Sequence, residues 1–360
     1  MADDQAPEAL RRIDEDEPLR LTLDLPPEIA SPLAPFKGAR PPAPAWFTAA
    51  IANTPERIFV PVKGARIELL TWGEVGRPGL IFIHGNSAHA GWWSFIAPFF
   101  ADTHRVASLS LSGMGGSDWR EVYSFDLFAE EIFACATAAA LYQAPVKPIY
   151  VGHSFGGAQA FHSAVRFPER MSACVLVDTG FGGPPTPEDF ERMRAEAIAR
   201  GEDPGPAHRL SQRSARNRVY PTLEAALARF RFMPPQVPGN LFIADYIARA
   251  SLKRVPLPET GEGGADGWTW RFDPGVWAKL DRSALAGMEA AKPAPPMVHI
   301  VGEGSEIIRR HAMMGASRNR IPQDVPTIII PDSQHHIMVD QPLALVAALR
   351  AVFAVWPTKS

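Results

Sequence analysis

The chain has 360 residues, of which 46% are hydrophobic and 21% are charged, and its formal net charge at pH 7 is −3. This composition is that of a globular protein with room for one large core or two smaller ones. The charge balance lacks the basic patch that a nucleic-acid-binding domain needs, so we predict no nucleic-acid partner.

The N-terminal segment, residues 1–45, combines an acidic run with a high density of proline. Because proline lacks a backbone N–H, so many prolines prevent regular hydrogen bonding between backbone groups, and we expect a flexible arm here. The segment has no apolar core of a secretory signal, and no stretch of the chain reaches the roughly 18 apolar residues of a spanning helix. Cys135 and Cys174 lie in apolar segments and are typical of small buried side chains. We therefore expect a cytoplasmic protein without a membrane span.

From residue 57 onward, short apolar runs alternate with helical patterns. Runs on either side of the turn Lys63-Gly64 predict an antiparallel pair, and further runs begin at residues 79, 105, 148, 173, 295 and 326. Continuous apolar runs are typical of parallel strands that helices cover on both faces. We predict an α/β fold, with a mostly parallel eight-stranded sheet flanked by helices, formed by residues 46–180 and 293–360.

Residues 181–292 interrupt this alternation. They contain helical patterns, several prolines and a glycine-rich loop, but no strong strand pattern. We predict a helical insertion after the sixth strand. Such an insertion would lie as a cap over the carboxyl ends of the strands and enclose a pocket.

The stretch Gly152-His153-Ser154-Phe155-Gly156 follows a predicted strand and precedes a predicted helix. Glycines on both sides of a serine let strand and helix approach closely, so that the hydroxyl projects at the end of the strand. The amides at the start of the following helix favour a developing negative charge. The pattern predicts a nucleophile, Ser154, beside donors that stabilise an anion.

A serine hydroxyl is a poor nucleophile without a base. The histidine that fits this role is His335, which follows the last predicted strand and would therefore lie at the same edge of the sheet. Its neighbour His336 competes for the role.

These motifs resemble those of the α/β-hydrolase superfamily. The resemblance covers residues from about 46 to 356 and rests on four stretches, "HGNSA", "LSGMGGSD", "GHSFGG" and "HHIMVDQP". Many members carry the catalytic histidine five residues before an acidic residue and seven before a proline. His335 has this spacing from Asp340 and Pro342, whereas His336 does not.

The resemblance also implies an oxyanion hole made by the amides of Phe155 and Asn86, with Gly85 in the same loop and Trp93 beside it as a substrate contact. One segment departs from the family pattern, because Ser110 stands where members commonly have aspartate. We assign that segment a structural role.

The acid of the triad is open between two residues. Members usually carry it in a turn after the seventh strand, but Ser305 occupies the expected position, with Glu306 one step later. Asp178, at the end of the sixth strand, is the alternative, used by dehalogenase-like members. We favour Asp178, because a carboxylate at the end of an apolar strand is expensive to bury unless a partner satisfies it.

We therefore predict a serine hydrolase acting on an apolar carboxylic ester or related acyl compound. Ser154 argues against epoxide hydrolases and dehalogenases, since these carry aspartate at the elbow. The alternatives are a carbon–carbon bond hydrolase of diketone-type ring-cleavage products and a catalytically idle ligand-binding member of the fold. No phosphate loop, zinc-spaced cysteine pair or nicotinamide fingerprint is present, so no metal or other cofactor is implied.

Overall fold

The computed structural model describes residues 25–180, 216–257, 266–285, 293–308 and 325–356. Contacts within the chain divide it into two compact units, one of residues 1–26 with 185–215 and the other of residues 27–184 with 216–360. Nearly all of the first unit lies outside the described residues. The architecture below is that of the second unit.

The centre of this unit is an eight-stranded sheet. Its strands are β1 Glu56–Val62, β2 Ala65–Trp72, β3 Gly79–Ile83, β4 Arg105–Leu109, β5 Ile149–His153, β6 Ala173–Val177, β7 Met297–Gly302 and β8 Thr327–Ile330. Their order is β1-β2-β4-β3-β5-β6-β7-β8. Strand β2 is antiparallel to both its neighbours, and the remaining pairs are parallel. The predicted mostly parallel eight-stranded sheet is confirmed.

Side chains of the central strands are buried on both faces of the sheet. In β3, Leu80 and Phe82 belong to one apolar cluster, whereas Ile81 and Ile83 belong to a second cluster on the opposite face. This division follows from the two-residue period of a strand. It explains why the strand reads as a continuous apolar run.

Eight α-helices lie within the described residues. They are α1 Pro27–Ala30, α2 Ala45–Ala52, α3 Phe125–Ala138, α4 Phe155–Arg166, α5 Leu223–Leu227, α6 Leu241–Ala250, α7 Ile337–Asp340 and α8 Pro342–Val355. In these ranges, no helix is both long and apolar enough to cross a bilayer.

The helix predicted after β3 forms instead as two 3₁₀ turns, Ala90–Trp93 and Ala97–Phe100. Pro98, at the start of the second turn, has no N–H to donate to a carbonyl of the preceding residues, which disfavours one continuous helix through both turns.

Part of the predicted flexible arm has regular structure. Residues 27–30 are helical, Ala34–Phe36 forms a 3₁₀ turn, and Leu33 between them is 2% exposed within the first apolar cluster. Burial of this leucine ties the chain to the domain well before residue 45. Residues 1–24 lie outside the described part of the chain.

The described part of the insertion contains α5 and α6, and also two antiparallel strands, Leu252–Pro256 and Asp266–Trp270. The sequence analysis predicted helices alone. The strand pattern around Trp268 and Trp270 is only five residues long and mixes glycine with polar residues, so periodicity did not reveal it. Residues 181–215, 258–265 and 286–292 of the predicted cap lie outside the described ranges.

Glu68 on β2 stabilises the loop in which aspartate was expected. The Ser110 hydroxyl donates to Glu68 Oε2 at 2.6 Å and accepts from the Ala90 amide at 3.0 Å. The same carboxylate accepts from the Gly116 amide at 2.8 Å and from Arg57 Nε at 2.8 Å. Ser110 has no carboxylate of its own, and Glu68 on the neighbouring strand supplies one to the same loop.

The change Ser110→Ala is expected to lower the free energy of unfolding by about 1–3 kcal/mol, because it leaves the buried Ala90 amide without its acceptor and removes one donor from Glu68. Urea unfolding followed by circular dichroism measures the difference. The matched change Thr48→Ala removes an exposed hydroxyl on α2 and should alter stability by less than about 0.5 kcal/mol. Equal midpoints for the two variants would contradict the role of Ser110.

Candidate active site

Ser154 occupies a sharp turn between β5 and α4. Its backbone angles are φ 53° and ψ −118°, which a residue with a side chain rarely adopts. A Cβ on Gly152 would lie 2.6 Å from Gly157 Cα, and one on Gly156 would lie 2.7 Å from the Ile83 carbonyl carbon. Only glycine fits at these two positions, so the sequence pattern is explained by the close approach of strand and helix.

Ser154, His335 and Asp178 form a continuous chain of hydrogen bonds. The Ser154 hydroxyl lies 2.9 Å from His335 Nε2, and His335 Nδ1 lies 2.7 Å from Asp178 Oδ2. An ionised carboxylate only accepts, so Nδ1 carries the ring proton and Nε2 is free to accept from the serine. His335 is 3% exposed and Asp178 is fully buried.

Two further donors hold the Asp178 carboxylate. The Gly302 amide donates to Oδ1 at 2.8 Å, and the Ser305 hydroxyl donates to Oδ2 at 2.6 Å. Ser305 thus occupies the turn in which the acid was expected and binds an acid carried by the neighbouring strand. This supporting role was missed, because sequence reasoning treated Ser305 only as the absence of a carboxylate.

Glu306 does not join this arrangement. It is half-buried at the start of a helical segment, one residue after Ser305. Both ring nitrogens of His335 already have partners, Asp178 and Ser154. The imidazole therefore has no N–H left for Glu306.

Two neutral histidines flank His335, with ring centroids 4.8 Å from its own. The sequence analysis considered His336 as a competing base and assigned His153 no function. His153 Nε2 donates to the His335 carbonyl at 3.0 Å, and His336 donates from Nδ1 to Gln236 Oε1 at 2.7 Å. Burial, reinforced by the neighbouring histidines, lowers the pKa of both His153 and His336 well below 6.5. His335 is the member of this trio with a carboxylate partner.

The loop of Gly85 and Asn86 lies against Ser154. A Cβ on Gly85 would be 3.3 Å from Ser154 Cβ, and the Gly85 carbonyl accepts from His84 Nδ1 at 2.7 Å. His84 Nε2 in turn accepts from the Leu111 amide at 2.9 Å, and burial lowers the pKa of His84 to about 4, so the ring stays neutral. The C=O and N–H of one peptide point in opposite directions, so the Asn86 N–H points away from His84.

The amides of Asn86 and Phe155 are the predicted oxyanion donors. Within the described residues, neither amide donates a hydrogen bond to a backbone or side-chain acceptor. The Phe155 amide lies in the first turn of α4, where backbone N–H groups have no partner inside the helix. Two unpaired amides that face the same carbonyl oxygen can stabilise an oxyanion.

Aromatic side chains surround this site, but Trp93 is not at its centre. Trp93 is fully buried and stacks on Phe82 with ring centroids 4.7 Å apart. Trp92 instead lies 5.5 Å from His336, and Phe232 of the insertion lies 4.8 Å from the same ring. The substrate contact assigned to Trp93 stays a prediction.

Among residues 25–180, 216–257, 266–285, 293–308 and 325–356, no cluster of three or more histidine, cysteine, aspartate or glutamate side chains could hold a metal ion. Cys135 and Cys174 are buried and unbridged.

Comparisons with known proteins agree with the observed fold. The family model described as alpha/beta hydrolase fold matches residues 78–342. The chain is 27% identical over 276 residues to Esterase PIR7B of rice, covering 69% of this chain and 93% of that protein. It is 33% identical over 107 residues to Lipase LipV of Mycobacterium tuberculosis, covering 30% of this chain and only 39% of the lipase.

Among solved structures, an esterase of Mycobacterium tuberculosis superposes with a TM-score of 0.55 at 21% sequence identity, covering 89% of this chain and 95% of that chain. At this level of identity the superposition shows a shared fold.

Stability should depend on pH through the buried neutral histidines. Burial lowers the pKa of His84, His89 and His299 to about 4, whereas in the unfolded chain each titrates near 6.5. Their contribution is complete above pH 6.5 and is lost as pH falls towards 4, because the unfolded state binds protons first. We expect the free energy of unfolding to fall by about 1.4 kcal/mol per pH unit for each histidine in this range.

Urea unfolding between pH 7.5 and 5 measures this slope. The variant His89→Asn keeps an acceptor for the Gly91 amide. It should reduce the slope by the contribution of one histidine, about 1.4 kcal/mol per pH unit. An unfolding free energy that does not change over this range would contradict the expectation.

Proposed function

The chain belongs to the α/β-hydrolase fold family, and on that premise we propose that it is a serine hydrolase which cleaves a carboxylic ester or related acyl compound. The observation that carries the proposal is the chain of hydrogen bonds from Ser154 through His335 to Asp178. Nucleophile, base and orienting acid lie in the order that acyl transfer requires.

In this mechanism Ser154 Oγ attacks the substrate carbonyl while His335 Nε2 accepts the serine proton. The imidazolium that forms is stabilised by Asp178, which keeps its negative charge throughout. His335 then protonates the departing alcohol. Water, activated by the same imidazole, releases the acid from the acyl-enzyme and restores Ser154.

The amides of Asn86 and Phe155 would hold the oxyanion of the tetrahedral intermediate. Two observations support this assignment. Neither amide has an acceptor among the described residues, and Gly85, next to Asn86, packs against Ser154. Donors already in place need no reorganisation when negative charge develops on the carbonyl oxygen.

An apolar acyl compound suits the surroundings of the triad. Trp92 and Phe232 pack against His336, and Trp277 of the insertion lies 5.2 Å from the Phe155 ring. Packing of these rings makes the surroundings of the nucleophile and the base largely apolar. The similarity to the rice esterase and the mycobacterial lipase supports an ester as the substrate class.

A serine-directed fluorophosphonate probe tests the nucleophile. We expect the wild-type protein to be labelled and the variant Ser154→Ala to lose labelling completely, since the hydroxyl that forms the bond is absent. Intact-protein mass spectrometry detects the adduct. A folded wild-type protein that stays unlabelled would instead support an idle ligand-binding member of the fold.

Two conservative variants test the acid. The change Asp178→Asn should lower kcat for an ester substrate by roughly 10³–10⁴-fold, because the imidazole loses the carboxylate that fixes its tautomer. Glu306→Gln should change kcat by less than about threefold, since His335 has no N–H left for it. Loss of turnover in Glu306→Gln alone would reverse the assignment.

A substrate panel measures these rates and separates the reaction classes. Esters of increasing acyl length should be turned over by an ester hydrolase, whereas turnover confined to diketone-type dienoates would identify a carbon–carbon bond hydrolase.

A further inference from the structure

Hydrogen bonds to buried side chains hold the backbone around His335. The Gln334 amide donates to Asp340 Oδ2 at 2.8 Å, and the His335 carbonyl accepts from His153 Nε2 at 3.0 Å. Asp340 belongs to α7, directly after this loop, and His153 ends β5. These two contacts hold the backbone one residue before His335 and the carbonyl of His335 itself.

A third contact to this loop comes from Gln236 of the insertion, which binds His336. Gln236 Oε1 accepts from the backbone amide of His336 at 2.9 Å and from Nδ1 of the same residue at 2.7 Å. The other half of this carboxamide, Nε2, donates to both oxygens of Asp340, at 3.0 and 2.9 Å. Because Nε2 faces a carboxylate, the orientation of the amide is determined, and His336 must be the donor to Oε1.

Gln236 makes all four contacts while only 2% exposed. Burial raises the pKa of Asp340, while the amides of Gln334 and Gly239 and the carboxamide of Gln236 favour its charged form. Leucine at position 236 would offer neither donor nor acceptor, and glutamate would turn a second carboxylate towards Asp340. Glutamine is therefore matched in both polarity and length.

The segment around Gln236, residues 236–240, sits directly on α7. The Gly239 amide donates to Asp340 Oδ1 at 3.0 Å, and a Cβ on Gly239 would lie 2.9 Å from Asp340 Cα. Asn240 Nδ2 donates to the carbonyls of Val339 and Asp340 at 2.8 and 3.1 Å. The insertion is thus bonded to the helix that follows His335.

We propose that Gln236 is a positioning residue. Through it, the insertion orients the His335 imidazole towards Ser154. Gln236 touches no reacting atom. It holds the next residue, His336, by backbone and ring together, and His336 lies against His335 with ring centroids 4.8 Å apart. A displacement of about 1 Å at a catalytic group can lower a rate by roughly 100-fold, so the base is effective only while residues 236–240 are seated.

This inference rests on the proposed serine hydrolase function, and steady-state kinetics with the ester substrate tests it. The change Gln236→Leu should lower kcat by about 10- to 100-fold and leave KM within about threefold, because alignment of the base is lost while the substrate pocket is kept. Labelling of Ser154 by fluorophosphonate should slow in proportion. Val237→Ala alters an exposed neighbour in the same segment and should stay within about twofold of wild type.

Moving the carboxylate from position 340 to position 236, here called the charge swap, tests the hydrogen bond itself. A residue that acted only through packing would show no recovery of kcat in this experiment. Gln236→Glu places two carboxylates face to face and should lower kcat at least as far as Gln236→Leu. Adding Asp340→Asn restores a donor opposite the glutamate, while the asparagine oxygen still accepts one of the Gln334 and Gly239 amides. The double variant should recover kcat by about fivefold or more over Gln236→Glu.

The outcomes separate this inference from the function on which it rests. Labelled wild-type protein together with unchanged kcat in Gln236→Leu, or with no recovery in the charge swap, would overturn the role of Gln236 alone. A wild-type protein that the probe does not label would overturn the proposed function, and the positioning role with it. The charge swap decides the question even when Gln236→Leu fails to fold.

Discussion

The burial of the Asp178 carboxylate is the constraint on which the site depends. An ionised carboxylate without partners in a protein interior costs several kcal/mol, so its charge has to be met by donors in fixed positions. The donors are the Gly302 amide, the Ser305 hydroxyl and His335 Nδ1. They arrive from the end of β7, the turn after it and the loop after β8. Satisfying one carboxylate therefore brings the end of β6, the end of β7 with its turn, and the loop after β8 to one edge of the sheet.

The surroundings of His335 determine which imidazole can act as the base. His84, His153 and His336 are as deeply buried as His335, and burial lowers the pKa of each. Each has a ring nitrogen committed to a carbonyl oxygen of backbone or side chain. Among these four, only His335 is bonded to a carboxylate, which stabilises the imidazolium that forms when it accepts a proton. A group of neutral neighbours thus leaves a single ring suited to proton transfer.

The fold and the insertion contribute different things to the proposed chemistry. The α/β sheet and its helices supply the edge at which nucleophile and base meet, and many proteins of unrelated activity share that scaffold. The insertion contributes Phe232 and Trp277 beside the triad, and Gln236 behind the base. In this arrangement, the element that places aromatic rings beside the proposed triad also holds the loop of the proposed base.

Local patterns in the sequence determined the strands, the elbow at Ser154 and the choice of His335, because periodicity, glycine sterics and fixed spacings act over a few residues. Contacts between distant segments were decided only in three dimensions. The acid was left open between Asp178 and Glu306, and the support from Ser305 and Gln236 was not predicted at all. Such pairings depend on strand order and on the packing of the insertion, and no short-range pattern records which distant hydroxyl, amide or carboxylate will satisfy a buried charge.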